Sequence, residues 1–160
     1  MNYTELRNTV KDGDIIFLHV NKKNILSNIT SYFTKSPYTH AAFVFWYKNR
    51  LMIVESTTHG GIRIVQASVY SDREFDRIAA PKNWETLEDT ALVKSGTAEY
   101  GWISAFYIGL REFLHTHFEI KLPVFNENKN KACSEFVAEI LGLDDVDISP
   151  GKLYERLTKT

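Results

Sequence analysis

The sequence predicts an α+β fold, and three observations carry that expectation. The first half is built from short β-branched and aromatic runs separated by polar turns. The second half changes to apolar residues at helical spacing. Strands grouped ahead of helices, rather than alternating with them, point to an antiparallel sheet or small barrel packed against helices. The chain has 160 residues and 44% hydrophobic content, enough for one domain, residues 1–160, with a real core.

Taken in order, residues 3–10 suit a short helix closed by the Asp12-Gly13 turn signal. Asp14–Val20 (DIIFLHV) reads as a mostly buried strand. Residues 23–35 place Ile25, Leu26, Ile29, Tyr32 and Phe33 on a helical stripe, ending before the Ser36-Pro37 loop. Three strands follow: His40–Tyr47, Leu51–Ser56 and Gly61–Gln66, joined by Lys48-Asn49-Arg50 and by a loop over 57–60. They predict an antiparallel meander. Residues 67–71 form a turn or short helix, and Phe75–Ala80 a further strand before Pro81. Glu85–Leu92 begins a helical segment that Gly96 interrupts, and Gly101–His115 is helical. A polar loop, His117–Asn130, leads to the helix of Lys131–Gly142, and Ser149-Pro150 starts the last one.

The Lys131–Gly142 stretch organises the chemistry. Cys133, Phe136, Val137, Ile140 and Leu141 fall at i, i+3, i+4, i+7 and i+8, the stripe of a core-facing helix. Gly142 suits the left-handed C′ position, and Asn128 or Asn130 suits the N-cap. Cys133 then lies in the first turn, where free backbone N–H groups and the helix dipole favour a thiolate. A thiol so placed is either a candidate nucleophile or a small core residue, and a base within reach decides which. Five histidines compete for that role. His40 begins a strand after the 36–39 loop, His19 lies within a strand, His59 in a loop, and His115 and His117 flank a helix end. Glu55, at the end of the apolar run Leu51–Val54, can either orient a histidine on the neighbouring strand or stand solvated at a strand end.

Composition excludes several classes. Nineteen basic against twenty acidic residues gives a net charge of −1, without the basic excess of a nucleic-acid binder. One cysteine rules out an intrachain disulfide and a multi-cysteine zinc site. His115-x-His117 with Glu119 has ligand-like spacing, but a polar helix end accounts for it better, and no metal is expected. The N-terminus lacks the apolar core of a secretory signal, and the longest apolar run, Ala41–Tyr47, is too short to cross a bilayer. A cytoplasmic protein is expected, with release on lysis or by non-standard export as the other route.

Five blocks carry a resemblance: GDIIF (13–17), THAAFV (39–44), VESTTHGGI (54–62), YGWISAF (100–106) and ACSEFVAEILG (132–142). Their order and spacing resemble the circularly permuted branch of the NlpC-type papain-like superfamily, with the YiiX-like bacterial proteins nearest. The lecithin–retinol acyltransferase-like enzymes are more distant relatives. The resemblance implies a permuted papain-like catalytic domain with Cys133 as nucleophile, His40 as general base and acid, and Glu55 as the residue orienting the histidine. It places Tyr100 in the substrate pocket, in a motif where relatives often carry Tyr-Asp and this chain has Tyr100-Gly101. The implied activity is a cofactor-free cysteine hydrolase that cleaves an amide in a peptide, a peptidoglycan-derived peptide or an acyl-amide through a thioester. The alternatives are a lipid acyltransferase or esterase of the acyltransferase-like type, and a catalytically silent binding module on the same fold. The C-terminal run Lys152–Thr160 has no hydrophobic anchor, which favours the amide hydrolase. Trp46, Tyr47, Trp102 and Tyr107 either line an acyl or sugar site or belong to the core.

Overall fold

A computed structural model describes residues 1–57, 61–95, 110–111, 113–115, 118–121, 132–143 and 148–159. The α+β expectation holds. Helix α1 (Tyr3–Thr9) opens the chain, followed by strand β1 (Ile15–His19) and helix α2 (Ile25–Thr34). Strands β2 (Tyr38–Tyr47), β3 (Arg50–Thr57) and β4 (Gly61–Gln66) come next, then a 3₁₀ turn (Ala67–Tyr70) and β5 (Phe75–Ile78). Helices α3 (Trp84–Val93), α4 (Cys133–Ile140) and α5 (Pro150–Thr158) follow. Residues 110–111 and 113–115 of the predicted 101–115 helix are helical, 101–109 and 112 lying outside the described residues. The strands form one open antiparallel sheet in the order β4-β3-β2-β1-β5. The predicted meander supplies three of them, and β5 crosses to the far edge to pair with β1.

Local chemistry explains the element ends. Asn2 caps α1 with a reciprocal box: its side chain accepts the Glu5 N–H, and Glu5 accepts the Asn2 N–H. The β2–β3 hairpin turns on Lys48 and Asn49, both with positive φ (45° and 63°), the pairing a two-residue type I′ turn requires. Helix α4 ends in a Schellman motif, with Leu143 N–H donating to Ala138 O and Gly142 N–H to Glu139 O. Gly142 supplies the left-handed residue at φ 66°. Ser149 caps α5 and Pro150 occupies its first turn. Strand β2 starts two residues earlier than the sequence suggests. Tyr38 joins it as the partner of His19, with Thr39 bulged out of the ladder between Tyr38 and His40, so His40 is its third residue rather than its first.

Both faces of the sheet are covered. On one face Ile15, Phe17, Phe43 and Val54 pack against Trp84, Phe136, Val137 and Leu153 from α3, α4 and α5. On the other, Ile16, Leu18, Val44 and Ile53 pack against Leu6 and Val10 of the α1 segment and Ala67 of the 3₁₀ turn. The helix layer is locked by Phe43, whose ring lies 5.0 Å from Trp84 and 6.3 Å from Phe136. The stripe of α2 behaves differently. Ile25 is 75% exposed and Tyr32 68%, while Phe33 turns sideways onto Phe113 at 5.0 Å. Among the described residues no helix is long and apolar enough to cross a membrane.

Gly13 joins α1 to β1 where only glycine fits. Its φ is +80°, and a Cβ there would lie 2.2 Å from the Trp84 ring. Gly13→Ala is therefore expected to lower the unfolding free energy by about 3 kcal/mol in urea titration, from left-handed strain plus displacement of Trp84. A loss under about 0.5 kcal/mol, the range of a neutral surface substitution, would contradict that packing.

Candidate active site

The site forms where the sheet comes apart. Pairing between β2 and β3 runs from the hairpin to Phe43↔Val54 and stops, whereas β3 stays paired with β4 as far as Thr57↔Gly61. Had the ladder continued, Ala42 would face Glu55 and His40 would face Thr57. Strand parity puts His40 with Ala42 and Val44, and Glu55 with Leu51 and Ile53, on the face covered by α1 and the 3₁₀ turn. Helix α4 packs on the opposite face. Its first residue, Cys133, meets His40 at the parting of the strands, where the Ala41 N–H, with no β3 residue opposite it in the ladder, favours the thiolate.

The predicted Cys133, His40 and Glu55 are brought together. The Cys133 thiol and the His40 imidazole lie close enough that each shifts the charge of the other. On its other side, His40 Nε2 lies 2.7 Å from Glu55 Oε2, so Nδ1 is the ring nitrogen left for the sulfur. Cys133 is 7% exposed, the His40 side chain 15%, and Glu55 is fully buried. Glu55 is thus not the solvated strand-end carboxylate that its position also allowed.

A buried carboxylate needs its lone pairs filled, and two residues the sequence reading did not single out help to do it. Arg63 donates from Nε (3.0 Å) and an Nη (2.9 Å) to Glu55 Oε1. The Tyr70 hydroxyl donates to Oε2 at 2.9 Å, beside His40. Arg63 is the cross-strand partner of Glu55, and Tyr70 ends the 3₁₀ turn after β4. A register for the β3–β4 hairpin was the signal that would have found Arg63. Nothing in the spacing marks Tyr70.

Charges shift accordingly. Burial alone would raise the Cys133 thiol, but the adjacent His40 charge, its hydrogen bond and the N–H groups of Ala41 and Ser134 outweigh that and hold it below its ordinary value. Burial works against the His40 cation, yet Cys133 and then Glu55 push it up to about 10. Burial would also raise Glu55, but His40, then Tyr70 and Arg63, keep it below the usual carboxylate range. Both shifts run in the direction that favours a thiolate–imidazolium pair over the neutral one.

Helix α4 is not capped by Asn128 or Asn130, which lie outside the described residues; Ala132 holds the N-cap position. Alanine offers no acceptor, so the cap runs in reverse, with the Glu135 carboxylate accepting the Ala132 N–H at 2.7 Å. Ser134 Oγ donates to Ile148 O at 2.5 Å and ties the cysteine turn to the entry of α5. Tyr100, expected in the pocket, lies outside the described residues, as do Trp102, Tyr107, His59 and His117. His19 is elsewhere, 3.2 Å from Asp76 at the far side of β1. Among the described residues no cluster of three or more His, Cys, Asp or Glu could hold a metal ion.

Iodoacetamide should alkylate Cys133 with an apparent pKa well below that of a free thiol. His40→Ala should slow labelling at neutral pH by about thirtyfold, the thiolate fraction lost on return to a pKa near 8.5; an unchanged rate would break the ion pair. Glu55→Gln should cost about 3 kcal/mol in urea unfolding at neutral pH. A depressed carboxylate pKa contributes stability above the unfolded value and loses it as pH falls through the folded one. The gap between Glu55→Gln and the native protein should therefore narrow below about pH 4, and a gap independent of pH would contradict an ionised Glu55. Set against protein-family models and curated proteins, the chain matches none, which leaves the geometry to carry the functional reading.

Proposed function

We propose that the protein is a cysteine hydrolase cleaving an amide bond, with Cys133 as nucleophile, His40 as general base and acid, and Glu55 as the positioning carboxylate. The observation that carries this reading is the unbroken chain from the Cys133 sulfur through His40 to a buried, ionised Glu55. A core cysteine does not need an imidazole and a buried carboxylate aligned beside it. The His40 strand preceding the Cys133 helix agrees with the resemblance to permuted papain-like enzymes.

The steps follow from the geometry. The Cys133 thiolate attacks the substrate carbonyl carbon while His40 holds the former thiol proton. The oxyanion is stabilised at the N-terminus of α4, where the Cys133 backbone N–H and the helix dipole favour negative charge. As the tetrahedral intermediate collapses, the C–N bond breaks and the leaving amine takes the proton from His40. His40, now neutral, accepts a proton from water as that water attacks the thioester. The acid departs and the thiolate–imidazolium pair is restored. Glu55 keeps the imidazole oriented throughout and stabilises its cationic form. The substrate class is a peptide, a peptidoglycan-derived peptide or an acyl-amide.

Intact-mass spectrometry with parallel amide and ester panels tests this. Peptide, muropeptide and fatty-acyl amides should be hydrolysed, with a transient acyl adduct on Cys133 that His40→Ala abolishes. Acylation by esters alone, followed by transfer to an amine or alcohol, would replace hydrolysis by acyl transfer. A thiol that no acyl donor modifies would leave a binding module.

A further inference from the structure

We propose that the outer face of α2 docks on an anionic phospholipid bilayer. Helix α2 is inverted relative to a core-facing helix. Its hydroxyl residues face the protein: Ser27 Oγ donates to Thr39 at 3.3 Å, and Ser31 Oγ donates to Ser36 O at 2.7 Å. Ile25 and Ile29 face outward one turn apart, 75% and 44% exposed. The ring contacts Phe33–Phe113 and Phe113–Phe118 extend that surface to Phe118, which is 61% exposed. A contiguous outward apolar face of this kind marks an interaction site rather than scattered surface hydrophobes.

Charge selects the occupant. Residues 15–54 carry five Lys or Arg and no Asp or Glu, in a chain whose net charge is −1. Lys22 and Lys23 stand exposed just before α2, and Lys35 stands exposed at its C-cap. Cations at both ends of a ten-residue apolar face are the pattern of a helix lying in the headgroup region, with its lysines reaching the phosphates. A second copy would set these lysines against one another with no acid on either helix. At about 15 Å, α2 lies on a bilayer and does not span it. The Ser27–Thr39 bond joins α2 to the residue before His40, so docking holds the His40 end of β2 near the lipid surface.

Co-sedimentation of the full chain, as Cys133→Ser so that no turnover intervenes, tests the docking separately from the thiol chemistry. Binding is expected to phosphatidylcholine vesicles containing phosphatidylglycerol and not to phosphatidylcholine alone, and it should weaken with salt. Ile25→Asp with Ile29→Asp should lower the partition coefficient about a hundredfold. Lys22→Glu with Lys23→Glu should lower it at least thirtyfold, from about fivefold per lysine lost. The far-ultraviolet circular dichroism of both variants should match that of the parent. Failure to bind anionic vesicles, or binding indifferent to both variants, overturns the proposal. So does a concentration-dependent dimer without lipid that the isoleucine variant abolishes, which would give the face to a second copy.

Discussion

One buried carboxylate sets the terms for this site. Glu55 is fully enclosed and accepts from His40, Tyr70 and two nitrogens of Arg63. An enclosed charge without such partners costs several kcal/mol, so ordering of β4 and the 3₁₀ turn is tied to ionisation of Glu55. The chain of groups alternates in sign, from Arg63 through Glu55 and His40 to Cys133, and its formal charges cancel. Only Arg63, with a side chain 38% exposed, leans toward solvent. A mutation at any of the four leaves a neighbour uncompensated, which makes their effects non-additive.

The second constraint is the parting of β2 from β3 beyond Phe43↔Val54. A continuous ladder would satisfy the Ala41 N–H with a strand carbonyl and close the space between His40 and α4. Opening it leaves that N–H to favour the thiolate and lets a residue from the helix layer meet residues of the opposite face. The helix must then be held firmly. Phe136 between Phe43 and the α4 backbone, Ser134 on Ile148 O and the Glu135 cap on Ala132 all serve that end. The placement of the helix adds to the larger effect of the histidine in favouring the thiolate.

Much of this was legible in the sequence, for physical reasons. The i, i+3, i+4 stripe and Gly142 mark α4, Lys48-Asn49 marks a tight hairpin, and the 3₁₀ turn and β5 fall where local pattern puts them. Cys133, His40 and Glu55 stood out because each was odd for its place. What stayed hidden depends on register and on facing. Periodicity reveals that α2 has an apolar stripe but not that Ile25, Ile29 and Tyr32 look outward, while Ser27 bonds to Thr39 of β2 and Ser31 to Ser36 in the loop before it. Arg63 gains meaning only once Glu55↔Arg63 is known, and Tyr70 only once the 3₁₀ turn folds back over the sheet. The expected asparagine cap gave way to a reversed one because Glu135 reaches the Ala132 N–H.

The central claim is that Cys133 and His40 share charge across a buried hydrogen bond oriented by Glu55. Heteronuclear NMR of the His40 imidazole across a pH titration tests it most directly. In the native protein both ring nitrogens should stay protonated through neutral pH, with deprotonation near 10. In Cys133→Ser, which removes the thiolate, the midpoint should fall. A single midpoint near the ordinary histidine value of about 6.5 in both proteins would contradict the ion pair and, with it, the reading of Cys133 as a nucleophile.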